Sequence, residues 1–584
     1  MKWVKNNTNN IINSIDYDSI INRLSYALQI NKSQLLKKIN LDTIKSIVSN
    51  IVNNNKFNID FNINNIQKTL TNPYDIINLE KAAIKISKYL NNKEASIFIY
   101  ADYDCDGIMS AYILYSILKE IGCCNIYVYC PERKDGYGIN IDFCNKVINL
   151  NNNNILVITV DNGITKKDEV KLLQDNNIEV IITDHHPSKE NETPNCLIVD
   201  PHNKDTEQDE FKHLCGAELA FKLGHILKDM YNQLDIIKYT PYIALAILSD
   251  VMELNNENIA LLQYGMEIIN SNNCPPAIKS IMNLKQINIL SYKDILWTIT
   301  PIINACGRMN NTQIALDLFL YQYDYDITDI AKEIDNINEN RKKLTKELVE
   351  SFNMFDCSND KVCILPLNNC PAGLLGILAG KAVEQFNKPS IVLSSIKDNI
   401  YHGSVRSFNN IDMVNLFKQM KNNNLIIDYA GHSEACVCTL DINKLTAINE
   451  FFNNNISDDL FIKSEDIEKE LNINSEITLD MINKYVYTLI NLFPYDNKKY
   501  YNPIYELNNV QVKGYKISKN NSNNIMFTLK EKDKKKTIDI WAWGFADKYL
   551  KDLKCPEYIN IAGEISKNLF DNSYTLQIVD IMEA

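Results

Sequence analysis

Short runs of bulky apolar residues recur through the first 200 positions: Ile97–Tyr100, Ile126–Tyr129, Ile155–Val160, Val180–Thr183 and Leu197–Val199. Unbroken runs of this kind suit strands buried on both faces. Between and after them lie stretches of helical length, Ile108–Leu118, Lys167–Gln174, Gly216–Leu227 and Pro241–Leu248. Strand and helix in alternation predict an α/β fold built on a parallel sheet. Most of the predicted strands run straight into a polar turn: DYDCDG (102–107), DNG (161–163), DHHP (184–187) and DPH (200–202). The strand ends of a parallel sheet share one edge, so these turns collect in one place.

The flanking segments follow other patterns. Residues 1–70 read as short helices, and Tyr74–Leu90 as an amphipathic helix leading into the first strand. Ile330, Ile334, Ile337, Leu344 and Leu348 recur at roughly helical spacing, which predicts a single connecting helix over 326–352. A second, smaller α/β unit is expected over 353–455, from a strand at Val362–Leu365 through GLLG (373–376) and a helix to Phe386, then the strand Ser390–Leu393. It closes on two polar turns, HGSVRSF (402–408) and YAGHSEA (429–435). Residues 456–490 read as helical. The alternating segments Val510–Ile517, Ile525–Lys530, Ile538–Trp543 and Ser573–Asp580 predict a small β-barrel at the end of a 456–584 unit. The main α/β unit then spans 71–325.

The polar turns carry the chemistry. Asp104, Asp106, Asp161, His185, His186 and Asp250 lie at ends of predicted elements, with Asp102 and Asp184 adjacent. Carboxylates crowded this closely repel one another unless cations neutralise them. Two of the seven histidines stand side by side behind an aspartate, and a mixed Asp/His shell suits Mn²⁺ better than Mg²⁺. His213 and His225 lie in helical contexts and are read as incidental. In the smaller unit, Arg406 beside Ser404 offers a bidentate contact to phosphate, and Gly431-His432 a backbone N–H and an imidazole.

Length and composition bound the rest. The 584 residues allow three or four domains, and 60 Lys+Arg against 73 Asp+Glu give a net charge of −13. That excludes a uniformly basic protein but not one basic groove. The 15 cysteines show no zinc-ribbon spacing, and Cys123, Cys124, Cys363 and Cys438 sit in apolar runs, so buried free thiols are expected. With no signal-peptide pattern and no apolar stretch of membrane-spanning length, a reducing, cytoplasmic setting is expected.

In order and wording, DYDCDG, VDNGI, DHH, the Ser249-Asp250 pair, INACGRM, GSVRS and AGH resemble the motifs of the DHH phosphoesterase superfamily with its DHHA1 partner domain. Within it the chain is most similar to the RecJ family of single-strand-specific exonucleases. Asn72-Pro73-Tyr74, DGYG (135–138), FPYDN…NP (493–503) and IAGEISKNLF…QIVD (561–580) fall in the corresponding places.

The resemblance implies a parallel-sheet DHH domain joined by the long helix to a DHHA1 domain, with a C-terminal OB-like barrel. It implies a Mn²⁺-dependent 5′→3′ exonuclease, with two ions and Mg²⁺ as a possible substitute, that degrades single-stranded DNA to 5′-mononucleotides in repair and recombination. Asp104, Asp106, Asp161, His185 and Asp250 would be metal ligands, Asp161 bridging both ions. His186 would face the scissile phosphate, with Asp184 and Asp102 in the catalytic group. Arg308, Ser404, Arg406, Gly431 and His432 would hold the strand's phosphates, and Trp541, Trp543, Phe545 and Lys534–Lys536 are candidates for the barrel's contacts with DNA.

A monomer with no membrane attachment, docking other replication or repair proteins through accessory surfaces, completes the expectation. The sequence departs from the family pattern at Ala101, Ile259, Pro371, Ala430 and Val437, which touches substrate handling more than hydrolysis. Three alternatives stay open: a DHH oligoribonucleotide or cyclic-dinucleotide phosphodiesterase, a pyrophosphatase of the same superfamily, and a catalytically weak single-strand-binding or scaffold protein.

Overall fold

The computed structural model describes residues 2–5, 21, 24–25, 32–45, 66–150, 152, 154–188, 193–231, 234–367, 370–457, 470–490, 503–519, 521–532, 534, 537–568 and 573–584. After helix α1 (Leu79–Leu90), the first sheet is laid down as β1 (Ser96–Ala101), α2 (Cys105–Ile121), β2 (Ile126–Tyr129), α3 (Ile141–Ile148), β3 (Ile155–Val160), α4 (Lys167–Asp175), β4 (Glu179–Thr183) and β5 (Leu197–Val199). The strand order is β2-β1-β3-β4-β5, and every neighbouring pair is parallel.

Side chains alternate across this sheet. Ile97, Ile99, Leu156 and Ile158 enter one core with α2 and α5 (Gly216–Tyr231), whereas Tyr100, Val157 and Val180 enter another with α3 and α4. Both faces are therefore covered, which is why the strands read as continuous apolar runs. The chain leaves β1 toward β2 on one side and returns to β3 on the other. The crevice at that reversal, outside the strand ends, is where an open parallel sheet accepts ligands.

The chain runs onward through α6 (Thr240–Ser249), α7 (Asn256–Ile269), a further helix at Pro276–Leu284 and α8 (Thr300–Arg308). The chain continues through α9 (Thr312–Leu320) into the connecting helix α10 (Thr328–Glu350). The smaller α/β unit contains β6 (Cys363–Leu367), α11 (Leu375–Phe386), β7 (Ser390–Lys397), β8 (Ile400–Arg406), α12 (Met413–Asn422), β9 (Asp428–His432), β10 (Ala435–Asp441) and α13 (Leu445–Asn455). Its sheet runs β9-β10-β8-β7-β6, antiparallel except for the β6–β7 pair.

The segments expected as polar turns at 402–408 and 429–435 are largely strands. In HGSVR the polar residues His402, Ser404 and Arg406 alternate with Gly403 and Val405, a two-residue period that the small residues disguised.

The C-terminal unit is a sheet whose antiparallel strands are β11 (Tyr505–Ile517), β12 (Ile525–Lys530), β13 (Thr537–Ala542), β14 (Tyr558–Lys567) and β15 (Tyr574–Glu583), in the order β13-β12-β11-β14-β15, with the short strand Ser475–Glu476 paired in parallel to β11. β13 packs back against β15, closing a barrel. The expectation of helix over 456–490 fails for most of its described residues. Glu470–Ile473 is a strand, paired in parallel with Lys2–Lys5, and only Lys484–Ile490 forms an α-helix.

The described part of the N-terminal region is not separate from this unit. Ile21, Leu24, Leu35, Ile39 and Ile44 enter the barrel's own core, and the Trp3 Nε1–H donates to Asp580 Oδ2 at 3.0 Å. The expected free thiols also need correction. Cys357 is disulfide-bonded to Cys363 across a short turn, Cys124 is exposed and Cys123 half-buried, while Cys438 is a buried free thiol. Pairing depends on the turn bringing Cys357 back, which local apolarity does not reveal. No described helix is long and apolar enough to cross a membrane.

Asp580 is nearly buried and receives both Trp3 and Lys548. Asp580→Ala strands two donors at the seam between the chain's first strand and its last, so unfolding free energy should fall by about 2 kcal/mol, measured by urea titration.

Candidate active site

β1 delivers its carboxylates through a tight entry into α2. Asp104 is the helix cap, its Oδ1 accepting from Gly107 N at 3.2 Å. A Cβ at Gly107 would stand 2.6 Å from the Asp102 carbonyl oxygen, so only glycine lets the first turn close onto the strand end. Asp106, in that first turn, is fully buried. Its two oxygens accept from Gly216 N (2.7 Å) and Ala217 N (2.8 Å), the first residues of α5. The positive end of α5 thus holds one of the acids in place.

β3 delivers Asp161, which is buried and held at φ +62°. A left-handed conformation at a non-glycine residue costs of order 1–3 kcal/mol and tends to persist where function over-determines it. Here it turns the carboxylate to the centre of the site. Asp161 is common to three sets of side chains whose donor atoms lie within 4.8 Å of one another: Asp102 and Asp104; Asp106, His185 and Asp250; and His185 with His186. α6 supplies Asp250 as its C-cap. His185 Nε2 lies 3.0 Å from Asp161 Oδ1, 3.4 Å from Asp250 Oδ2 and 3.6 Å from Asp106 Oδ2.

The donor set fits divalent cations. Asp102 Oδ1, Asp161 Oδ1 and His185 Nε2 are buried, and none of the three has a hydrogen-bond partner. Burial above all, and then the neighbouring carboxylates, pushes the pKa of Asp102, Asp104 and Asp161 up and that of Asp106 to about 6. Burial works against charge on His185, but Asp250 and Asp106 outweigh it and lift its pKa to about 9. A cation held by these donors would compete with a proton for His185.

Asp184 and His186 play a different part. Asp184 is buried. Its Oδ1 accepts from the backbone N–H of His185 (2.8 Å) and of His186 (3.1 Å), and its Oδ2 from Ile164 N (3.0 Å). Burial opposes its charge, yet His186 and these amides hold its pKa below the usual range. His186 Nδ1 lies 2.8 Å from Asp184 Oδ1 and 2.9 Å from the Tyr137 hydroxyl, which donates to the Asp161 carbonyl at 3.1 Å. Although burial disfavours the charge, Asp184 raises the His186 pKa to about 10. Asp184 thus fixes the His186 ring, whose partly exposed imidazole borders the site.

The anion-binding candidates form a second cluster one helical turn away. On α8, Asn304 Oδ1 accepts from Cys105 N at the acidic turn, and Gly307 abuts the Tyr103 carbonyl. Arg308, next in line, donates from Nη1 to the Gly373 carbonyl at 3.1 Å. Burial, reinforced by Arg133 and Arg341, brings its pKa down to about 10, so it stays charged. From Gly373 the chain enters α11, where a Cβ at Gly376 would lie 3.5 Å from Ser404 Oγ and 3.6 Å from Arg406 Nη2. Arg308, Ser404 and Arg406 therefore surround one helix N-terminus. His432 is not packed there: Arg406 pairs with Ala435 and Ala435 with His432, which puts His432 two strand spacings, about 10 Å, from Arg406. Gly431 precedes it at φ +127°.

Three contributors were not singled out in the sequence. Tyr137 lies in the DGYG loop, where only the glycines signal a special backbone. Arg133 stacks 4.5 Å from the Tyr103 ring centroid, with Nε buried and unpartnered. The Gly216 and Ala217 amides carry no side-chain signature at all. In the barrel, Trp541 and Trp543 stack at 5.1 Å with planes 10° apart and Trp543 is exposed. Phe545 packs against the core instead, and Lys534 is committed to Asp480 and Glu531. Lys535, Lys536 and most of FPYDN…NP fall outside the described residues.

A Cβ at Gly216 would lie 2.6 Å from Asp161 Cβ, whereas one at Gly380 in α11 meets nothing within 4 Å. Gly216→Ala should weaken Mn²⁺ binding at least about tenfold by calorimetry, while Gly380→Ala should leave it unchanged and stabilise the fold by up to about 1 kcal/mol. Because His185 titrates near 9 rather than 6.5, its imidazolium contribution is complete below about pH 6.5 and lost as pH rises through 9. Mn²⁺ affinity should therefore climb across that window, with proton release on binding readable with an indicator dye.

Three family matches tile the chain: the DHH family N-terminal domain over 96–249, the DHHA1 domain over 359–458 and the RecJ OB domain over 473–580. The single-stranded-DNA-specific exonuclease RecJ of Haemophilus influenzae is 24% identical over 88% of this chain and 92% of that protein. The protein of the same name from Bacillus subtilis is 27% identical over 70% of this chain, and the match spans about half of it (52%). RecJ from Thermus thermophilus in complex with Mn²⁺ superposes with a TM-score of 0.71 at 20% identity, covering 100% of this chain and 80% of that one. In motif order, domain content and fold, the chain is similar to the RecJ proteins, carrying a DHH family N-terminal domain, a DHHA1 domain and a RecJ OB domain in that order.

Proposed function

We propose that the protein is a metal-dependent exonuclease that hydrolyses single-stranded DNA from its 5′ end to 5′-mononucleotides. The observation that carries this reading is the continuous path from carboxylates to anion cradle. One turn of α8 links the acidic turn at Cys105 to Arg308, and Arg308 reaches the N-terminus of α11 beside Ser404 and Arg406. A phosphodiester held at the cradle would present a neighbouring phosphate to the acidic site. The curated relatives, named as single-stranded-DNA-specific exonucleases, support the same activity and substrate.

Each residue then has a task. Asp106, Asp161, His185 and Asp250 would hold one divalent cation and Asp102, Asp104 and Asp161 a second, Mn²⁺ being favoured by the histidine ligand and Mg²⁺ a substitute. When bound, such ions supply a water of lowered pKa and positive charge beside the scissile phosphate. The His186 imidazolium, fixed by Asp184 and Tyr137, hydrogen-bonds a phosphate oxygen and stabilises the charge that develops there. Arg308, Arg133 and Arg406, with Ser404 and the amides of α11, bind the strand's phosphates. His432 and Gly431, farther along the same sheet, suit a phosphate further from the scissile bond. The exposed Trp543 on Trp541 offers a stacking surface for a base.

The assay uses long single-stranded DNA with Mn²⁺, labelled at the 5′ end in one sample and the 3′ end in another. Early release of a labelled mononucleotide from the 5′-labelled strand is expected. His186→Ala should lower kcat by about 10²–10⁴-fold, with Mn²⁺ binding retained. Arg406→Ala should weaken DNA binding and flatten its salt dependence by about one unit of slope. Turnover of dinucleotides with none of the long strand would contradict the proposal and assign the chain to the short-substrate phosphodiesterases.

A further inference from the structure

The end of α6 carries two costs that its own packing does not explain. Asp250 closes the helix as its C-cap, and Val251 follows at φ +53°. The turn is a Schellman motif: the Val251 N–H donates to the Leu248 carbonyl at 3.4 Å and the Met252 N–H to the Ile247 carbonyl at 3.0 Å. Such a turn needs a left-handed residue after the cap, where glycine or asparagine fits and a β-branched side chain is strained. Among the described residues fourteen non-glycine positions have positive φ. Ten of them are asparagine or aspartate, and Val251 alone is β-branched.

The second cost is exposure. The Val251 side chain is 55% exposed, while Leu248 and Met252 on either side pack into the core. Neither its backbone nor its side chain gains anything within the chain, so the compensating contact lies with a ligand. Its position says which ligand. Of Asp106, Asp161, His185 and Asp250, Asp250 is the most open, with 19% of its side chain exposed. The mouth of the carboxylate site is therefore at the end of α6, and Val251 is the next residue, about 3.8 Å on between Cα atoms. The turn is also tied to the site, since Asn304 reaches Ser249 Oγ at 3.5 Å with Nδ2 and accepts from Cys105 N with Oδ1.

We propose that Val251 is a specificity-determining residue that packs against the sugar of the nucleotide at the carboxylate site and favours deoxyribose over ribose. This rests on the exonuclease reading given above. A phosphate placed at the carboxylates brings its own sugar within van der Waals reach of their neighbours, whereas the base extends farther away. The 2′ carbon of deoxyribose is a methylene, which an isopropyl group matches. A ribose hydroxyl buried there would lose its water, and valine offers no donor or acceptor in return.

The test compares single-stranded DNA and RNA of the same base sequence, each with Mn²⁺, for the natural protein, Val251→Gly and Val251→Asn. Both substitutions suit the left-handed turn, so both should raise the melting temperature. Both should also lower kcat/KM on DNA about threefold to tenfold and narrow the DNA-to-RNA ratio, Val251→Asn more so because its amide can pair with the 2′ hydroxyl. Gln286→Asn changes another left-handed residue (φ +55°) just past the helix Pro276–Leu284, which supplies nothing to the site, and should leave kcat/KM on both polymers unchanged. Val251 variants that gain stability and keep both rates would overturn the proposal. So would equal losses on DNA and RNA, or a natural protein that cleaves RNA as fast as DNA. A natural protein that cleaves neither polymer would instead fail the exonuclease reading, and the sugar contact with it.

Discussion

The structure turns on the placing of one buried carboxylate, Asp161, among others of its kind. At least three acids and a histidine surround it, and burial makes each of their charges costly. The surrounding elements keep them there. The left-handed backbone at Asp161, the glycine that lets α5 approach it, and the paired amides on Asp106 all hold donors where they repel one another. A positive charge at the centre relieves that repulsion, which is why the site reads as a cation site before any comparison is made. The fold supplies the location, since Asp161 and the acids after β1 meet at the reversal of strand order.

The proposed anion cradle depends on that centre through short, stiff connections. Asn304 and Gly307 fix α8 to the acidic turn, and Gly373 fixes the second unit to Arg308 by backbone contact. Such contacts leave little room for adjustment, so the distance between the carboxylates and the N-terminus of α11 is set by packing. His186 borders the carboxylates, its protonation governed by Asp184, a group with no exposed surface.

Much of this was legible in the sequence for physical reasons. A strand buried on both faces shows as an apolar run, and acids at its end show as a break in that run, so β1, β3 and the carboxylates could be read directly. Backbone donors could not: the Gly216 and Ala217 amides that hold Asp106 leave no side-chain trace. Small polar residues hid the two-residue alternation of β8 and made a strand look like a turn. The pairing of Lys2–Lys5 with Glu470–Ile473 joins segments more than 460 residues apart, and no local pattern encodes that. Helical spacing did reveal α10 as one connecting helix, because its period repeats over more than twenty residues.

The most direct test of the account is electron paramagnetic resonance of the protein loaded with Mn²⁺, with Asp161→Asn beside it. Two ions per chain with a spin-coupled spectrum are predicted for the natural sequence, since ions sharing one carboxylate lie about 3.5–4 Å apart. In the variant the coupling should vanish and the second equivalent of Mn²⁺ should no longer bind. A single uncoupled ion in the natural protein, or coupling that survives in Asp161→Asn, would contradict the central place given to that residue.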